Sequence, residues 1–182
     1  MVKEIVCANG EIALCDDEDY PLLSRFSWFT AASPEKRKPY PHCNIVGKKD
    51  KHKRIPMHQL VMGGAYGSDH KDGNGFNNQK HNLREATYQQ NGWNSQKQKT
   101  ANGKPTSSQY KGVFKAYSKK YGEHWAVRIK TTPKGVKPIN ILRIGPFYCE
   151  EDAARAYNAK VRELRGEWAW LNPVEPPFPS AA

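Results

Sequence analysis

Paired cysteines, long apolar runs and internal repeats are all missing from this chain of 182 residues. No stretch approaches the roughly 20 apolar residues that a membrane helix needs, so no membrane partner is expected. The opening MVKEIVCANGEIALCDDEDY is too acidic for a secretory signal peptide, and the protein is expected to stay in the cytoplasm where it is made. Cys7, Cys15, Cys43 and Cys149 stand far apart with no C-x-x-C pair. That spacing argues against a zinc ribbon and against a disulfide framework, leaving reduced thiols and no structural zinc as the expectation. A chain of this length has room for two or three small modules with modest cores rather than one large active-site fold.

Acids are scarce where bases are plentiful. The 29 Lys and Arg exceed the 18 Asp and Glu, a surplus of +11 that favours a polyanionic partner. Residues 1–24 reverse the trend, with six acids against Lys3 alone, while residues 25–55 carry nine bases and two acids. From Trp93 to Lys137 there are eleven Lys or Arg and one acid, Glu123, the pattern of a chain running along a phosphate backbone. The stretch QKQKTANGKPTSSQ, residues 96 to 109, with no apolar side chain larger than Ala101 and Pro105, reads as containing a linker, set at 99–107. The fold expected around it is α+β. A β-rich N-terminal region (1–55) leads into a module at 56–98, with strands upstream of the linker near Glu11 to Leu14, Tyr40 to Val46 and Ile55 to Val61. Beyond the linker, 108–172 reads as three strands (Tyr110 to Phe114, Trp125 to Lys130, Ile139 to Ile144) and one helix from Glu150. The Pro-rich tail, 173–182, is expected to be disordered.

The segment MHQLVMGGAYGSDHKDGNGFNNQKHNLREATYQQNGWNS, residues 57 to 95, carries the chemistry. Asp69 and His70 are adjacent in an extended segment and so point to opposite sides, one able to bind a metal while the other faces substrate. A carboxylate suits a hard divalent cation, and a neutral imidazole can take a proton from water near neutral pH. Thr87 and Gln90 form a capping box, predicting a helix from Tyr88 through the mid-90s with Asn91 in its first turns. Packed across the strand ending at His70, that helix would let the Asn91 amide act as a second metal ligand. Asn82 is the candidate clamp of the Asn/Gly-rich turn between them. His58 can be read as structural or as a substrate contact; His42, His52, His81 and His124 read as incidental, and Trp93 as core.

The order DH, then NL twelve residues after His70, then QN nine residues later, resembles the HNH motif of ββα-metal nucleases, and most of all the phage and intron homing-endonuclease branch. The resemblance implies that His70 is the general base, that Asp69 and Asn91 bind one Mg²⁺ or Mn²⁺, and that Asn82 orients the loop and the base. MHQLVMG resembles that family's MHR segment, with Gln59 in place of the Arg.

In the second unit, Trp125, Val127 and Ile129 share one face of a strand while Ala126, Arg128 and Lys130 share the other. Leu142 and Ile144 fall on the core side of the next strand, and Ile141 and Arg143 on the opposite one. Ala153, Tyr157, Val161 and Leu164 form one helical stripe suited to cover the apolar face. YKGV, IGPF, EEDAARAY and RGEWAWLN resemble an AP2 domain, a three-stranded antiparallel sheet that docks in the DNA major groove and is backed by one helix. By position, Lys111, Arg128, Lys130 and Arg143, with Lys115, match its DNA-facing places. Phe114, Ala116 and Ile141 stand where plant members often carry Arg.

The expectation is therefore a site-specific, metal-dependent endonuclease acting on double-stranded DNA, with no obligate protein partner. The rivals are a non-catalytic AP2-type regulator with a degenerate nuclease module and an RNA-binding or ribosome-associated protein.

Overall fold

The computed structural model describes residues 1–30, 39–46, 52–64, 67–101, 103–132 and 140–175. Contacts divide the chain into two compact units, Met1–Asn91 and Gly92–Ala182. The architecture is α+β, several small antiparallel sheets with few helices.

In the first unit, β1 (Val2–Val6) and β2 (Ile12–Asp16) form an antiparallel hairpin in which Ile5 opposes Ala13. Alternation along the hairpin and its turn sends Ile5, Cys7, Ala13 and Cys15 inward. The chain then makes α1 (Tyr20–Leu23), whose Leu23 is buried and whose Leu23 carbonyl accepts the Trp28 indole N–H at 2.8 Å. A buried indole needs such a partner. Next come β3 (Phe29–Thr30), β4 (Pro41–Val46) and β5 (His52–Pro56), one sheet in that order, followed by α2 (Met57–Val61). The apolar run from Ile55 to Val61 is thus not one strand. Pro56, in extended conformation, ends β5 and becomes the N-cap of α2, since a ring without N–H cannot extend a ladder but suits a helix start. β6 (Ser68–His70) and β7 (Leu83–Glu85) pair antiparallel, and α3 (Tyr88–Trp93) follows, its last two residues belonging to the second unit.

One core holds Ile5, Cys7, Ala13, Cys15, Leu23, Trp28, Cys43, Ile55 and Met57, so the β-rich region and the start of the next segment share it. Its three cysteines are free thiols whose pKa values burial raises, with Glu11 adding at Cys7 and Asp19, Asp16 and Asp17 adding at Cys15.

The second unit begins with a feature inside the expected linker: β8 (Thr100–Ala101) pairs with β9 (Lys104–Pro105). The main sheet runs β10 (Val113–Ser118), β11 (Gly122–Lys130), β12 (Ile141–Phe147), all antiparallel. Tyr110 and Lys111, expected in the first strand, precede it in a turn; Ile139, expected to open the third, lies outside the described residues, as do residues 176–182 of the tail. α4 (Glu150–Arg165) carries Glu150, Glu151 and Asp152 in its first turn and Arg162 and Arg165 in its last, matching the helix dipole. Its buried stripe is Ala153, Ala154, Tyr157 and Val161, against Val113, Val127 and Ile129. Leu164, expected on that stripe, sits in the last turn and is exposed. Gly112 is required where it stands: its φ is +77°, and a Cβ there would come within 2.3 Å of two atoms of the Tyr157 ring. The chain closes by reciprocal amide bonds. Asn172 Oδ1 accepts Lys111 N–H at 2.6 Å, Asn172 Nδ2 donates to Lys111 O at 3.1 Å, and Asn158 Oδ1 accepts Asn172 N–H at 2.7 Å.

Candidate active site

The β6–β7 hairpin starts at Gly67, where φ is +86° and a Cβ would come within 2.6 Å of Ala86 O, so only glycine lets the strand enter here. Asp69 opposes Arg84 in the register, and Arg84 Nε and Nη2 both donate to Asp69 Oδ2, at 3.1 and 2.9 Å. The pair is nearly buried, which strengthens it and fixes the carboxylate. His70, half-buried beside it, sets its Nε2 3.3 Å from Asn78 Oδ1.

Three rings extend outward from His70. His58 meets it edge-on at 5.0 Å, Tyr40 lies 5.2 Å from His58, and His42 lies 4.5 Å from Tyr40. Burial, with His70 and His42 adding, pushes His58 down to about 3, and its Nδ1 is buried with no hydrogen-bond partner among the described residues. His58 therefore stays uncharged near neutral pH, a neutral ring against the neighbouring imidazole.

The loop from Lys71 to Asn82 is a web of amide hydrogen bonds. Asn82, buried, accepts Asp72 N–H at 3.1 Å and donates to Asp72 Oδ1 at 3.0 Å and Asn77 O at 2.8 Å. Asp72 also receives Asn74 N–H and the Asn77 amide. Burial raises the Asp72 carboxyl, but these donors outweigh it and leave its pKa below the usual range. Asn82 thus bonds across the loop, and the amide oxygen 3.3 Å from the His70 ring is that of Asn78. Asn78 was not distinguished by sequence, where it is one of several asparagines in a turn.

A second support was equally invisible: the acidic N-terminal stretch. Leu14 N–H donates to Phe76 O and Asn78 N–H to Leu14 O, both at 2.8 Å, so β2 runs beside the loop. Asp16 accepts Lys80 N–H at 2.8 Å and the Gln79 amide at 3.1 Å, bonds that, led by the first, lower its pKa. Lys80 also pairs with Glu18 and Asp19.

The capping box forms as the residues imply: Gln90 Oε1 accepts Thr87 N–H at 2.8 Å and Thr87 Oγ1 accepts Gln90 N–H at 3.2 Å. The helix it starts ends at Trp93, shorter than expected. Asn91, exposed, donates its Nδ2 to Ser68 O at 2.9 Å, tying α3 to the strand that bears Asp69 and His70. Among the described residues no three His, Cys, Asp or Glu side chains gather as a metal cluster. Of the residues expected to hold a cation, Asp69 carries Arg84 on Oδ2 and Asn91 bonds through Nδ2 to Ser68 O, so each has an oxygen not used in these bonds.

A protein of Acanthamoeba polyphaga mimivirus, named as an uncharacterized HNH endonuclease, is 31% identical over 171 residues, covering 92% of this chain and 78% of its own length. The chain belongs to the HNH endonuclease family. No protein-family profile matches the chain, and no solved structure does.

The second unit of this HNH endonuclease carries a basic surface. On the sheet face away from α4, Arg128 opposes Arg143 and Lys130 opposes Ile141, while Phe114 opposes Ala126. Arg128, Lys130 and Arg143 are exposed. The Arg128 guanidinium lies 4.6 Å from the Phe114 ring centroid. An open groove of about 430 Å³ runs along this face, lined by Tyr117, Tyr121, His124, Arg128 and Arg143 among others. Two of the five expected DNA-facing cations are elsewhere. Lys115 pairs in register with Trp125 on the α4 side, its Nζ 5.4 Å from that ring. Lys111 donates to Trp93 O at 2.8 Å and Ser95 O at 2.6 Å, holding its own unit's first residues.

Proposed function

We propose that the chain is a metal-dependent, site-specific endonuclease of double-stranded DNA, in which the first unit cuts and the AP2-like sheet of the second selects the site. His70 takes a proton from water, whose oxygen forms the new bond to phosphorus as the bond to the 3′ oxygen breaks. The departing 3′ oxygen takes a proton from solvent water, so the products carry 5′-phosphate and 3′-hydroxyl ends. Asp69 and Asn91 hold one divalent cation, Mg²⁺ or Mn²⁺. The Asp69 carboxylate and the Asn91 amide would supply the hard oxygens that such an ion takes. When bound, the cation stabilises charge developing on the scissile phosphate and the departing oxygen. Arg84 holds the Asp69 carboxylate in one orientation, and Asn82 keeps the loop in shape. Arg128, Lys130 and Arg143 meet the DNA, phosphate contacts giving affinity and base edges giving selectivity.

The observation that carries this reading is the Asn91 to Ser68 hydrogen bond, which joins the last residue of the spaced set to the strand of Asp69 and His70. The ion pair of Arg84 with Asp69 favours a second reading, a non-catalytic AP2-type DNA-binding regulator whose nuclease module is degenerate, since the guanidinium sits on the carboxylate a cation would use. Incubating the protein with supercoiled plasmid separates the two. Nicking with Mg²⁺ that EDTA abolishes is expected; no nicking with Mg²⁺ or Mn²⁺ would leave the regulator.

A further inference from the structure

Among the described residues of the first unit, Asn78 is the most enclosed polar side chain, with 0% of its surface exposed. Its amide has a defined orientation. Nδ2 lies 3.1 Å from Phe76 O and 3.5 Å from Gly75 O, and carbonyl oxygens only accept, so the nitrogen must face them. Turning the amide over would set its oxygen against two carbonyls in a site without water access, a costly arrangement. Oδ1 therefore faces the other way, 3.3 Å from His70 Nε2. The residue is anchored a third time by its backbone N–H, which donates to Leu14 O at 2.8 Å.

We propose that Asn78 is the positioning residue of the nuclease base: its amide oxygen accepts the His70 Nε2–H, so that the lone pair that receives the water proton is on Nδ1. The proposal rests on the nuclease reading above. The chemistry is simple. An amide oxygen has no proton to give, so the ring nitrogen facing it must carry the hydrogen, and a neutral imidazole has only one. The edge-on His58 ring at 5.0 Å limits rotation of the imidazole about its bond to the strand. Asn82 and Asn78 thus divide the work that the motif suggested for one residue. Asn82 shapes the loop through Asp72 and Asn77, and Asn78 orients the base.

The test uses full-length protein labelled with ¹⁵N in histidine, with the His70 ring tautomer read by long-range proton–nitrogen correlation at mildly alkaline pH, beside plasmid nicking and thermal melting. Asn78→Asp keeps an oxygen toward His70 but loses the donor to Phe76 and Gly75; Asn78→Leu loses both. The wild type and Asn78→Asp are expected to show the Nε2–H tautomer, and Asn78→Asp to nick within about ten-fold of wild type. Asn78→Leu should lose the tautomer preference and on the order of 10²-fold in turnover, with plasmid KM unchanged. An Nδ1–H tautomer in the wild type overturns the role of Asn78. So does equal loss of nicking in both variants, which would make Asn78 a loop prop only. If Asn78→Leu fails to fold, the wild-type tautomer and the Asn78→Asp rate decide. A wild type that never nicks overturns the nuclease reading, and with it any catalytic meaning for Asn78, whatever the tautomer.

Discussion

The two units position their candidate functional side chains by different means. In the second, Arg128, Lys130 and Arg143 share a face because β11 and β12 alternate, and the covering of the other face by α4 leaves them exposed. In the first, His70 is oriented by Asn78, and the loop bearing Asn78 is held by Asp16 and Leu14, more than 60 residues earlier. A face made by alternation tolerates change at its exposed positions. A site made by buried amides depends on each member, because a lost partner leaves another polar group unsatisfied.

The sharpest way to probe this contrast is at the base. His70→Ala should lower plasmid nicking by about 10²–10⁴-fold while gel-shift affinity for DNA stays near wild type, since the imidazole acts on water and adds little contact area. Parental nicking by the variant would remove His70 from the mechanism.

On the sheet, Arg128→Ala or Arg143→Ala should each cost roughly 1–3 kcal/mol on a selected duplex and relax sequence preference. Lys115→Ala should change neither affinity nor preference appreciably, because that side chain lies over Trp125 on the helix-backed side. Competition between selected and random duplexes checks both; a Lys115 effect equal to that of Arg128 would show that the face assignment is wrong.

Asp16→Ala tests the distant support. Loss of its bonds to Lys80 N–H and Gln79 should destabilise the protein by about 1–2 kcal/mol in urea unfolding and slow nicking, with DNA binding retained. Unaltered nicking would mean that the loop holds its shape without β2.

The smallest effect is a pH slope. The folded pKa of His58 is lowered from 6.5 to about 3, so between those values the unfolded chain binds a proton that the folded chain does not. Its contribution is complete above about 6.5 and is lost as pH falls toward 3, by no more than about 1.4 kcal/mol per pH unit. His42, also lowered by burial with Arg54 adding, acts in the same direction. His58→Phe keeps a ring beside His70 and should flatten the slope; an unchanged slope would show that His58 titrates normally in the fold.

Much of this molecule is legible in its amino-acid order. The Asp69, His70, Asn82 and Asn91 spacing, the Thr87–Gln90 capping box, and the split of Trp125, Val127 and Ile129 from Arg128 and Lys130 are local patterns, set by residues within one or two turns or strands of each other. Local patterns misled where a proline divided one apolar run into β5 and α2, and where Leu164 outlasted the surface that could bury it. Lys111 matched a DNA-facing place by position, yet backbone carbonyls of Trp93 and Ser95 capture its ammonium.

What tertiary structure alone decided is which of several similar amides touches the imidazole, which acids hold the loop, and which histidine is kept neutral beside it. Hydrogen-bond partners such as Asp16 with Lys80, or Leu14 with Asn78, leave no period in the chain to read. Side-chain alternation follows from the geometry of a single strand, whereas the partner of a buried polar atom is set by whatever the rest of the fold brings within about 3 Å of it.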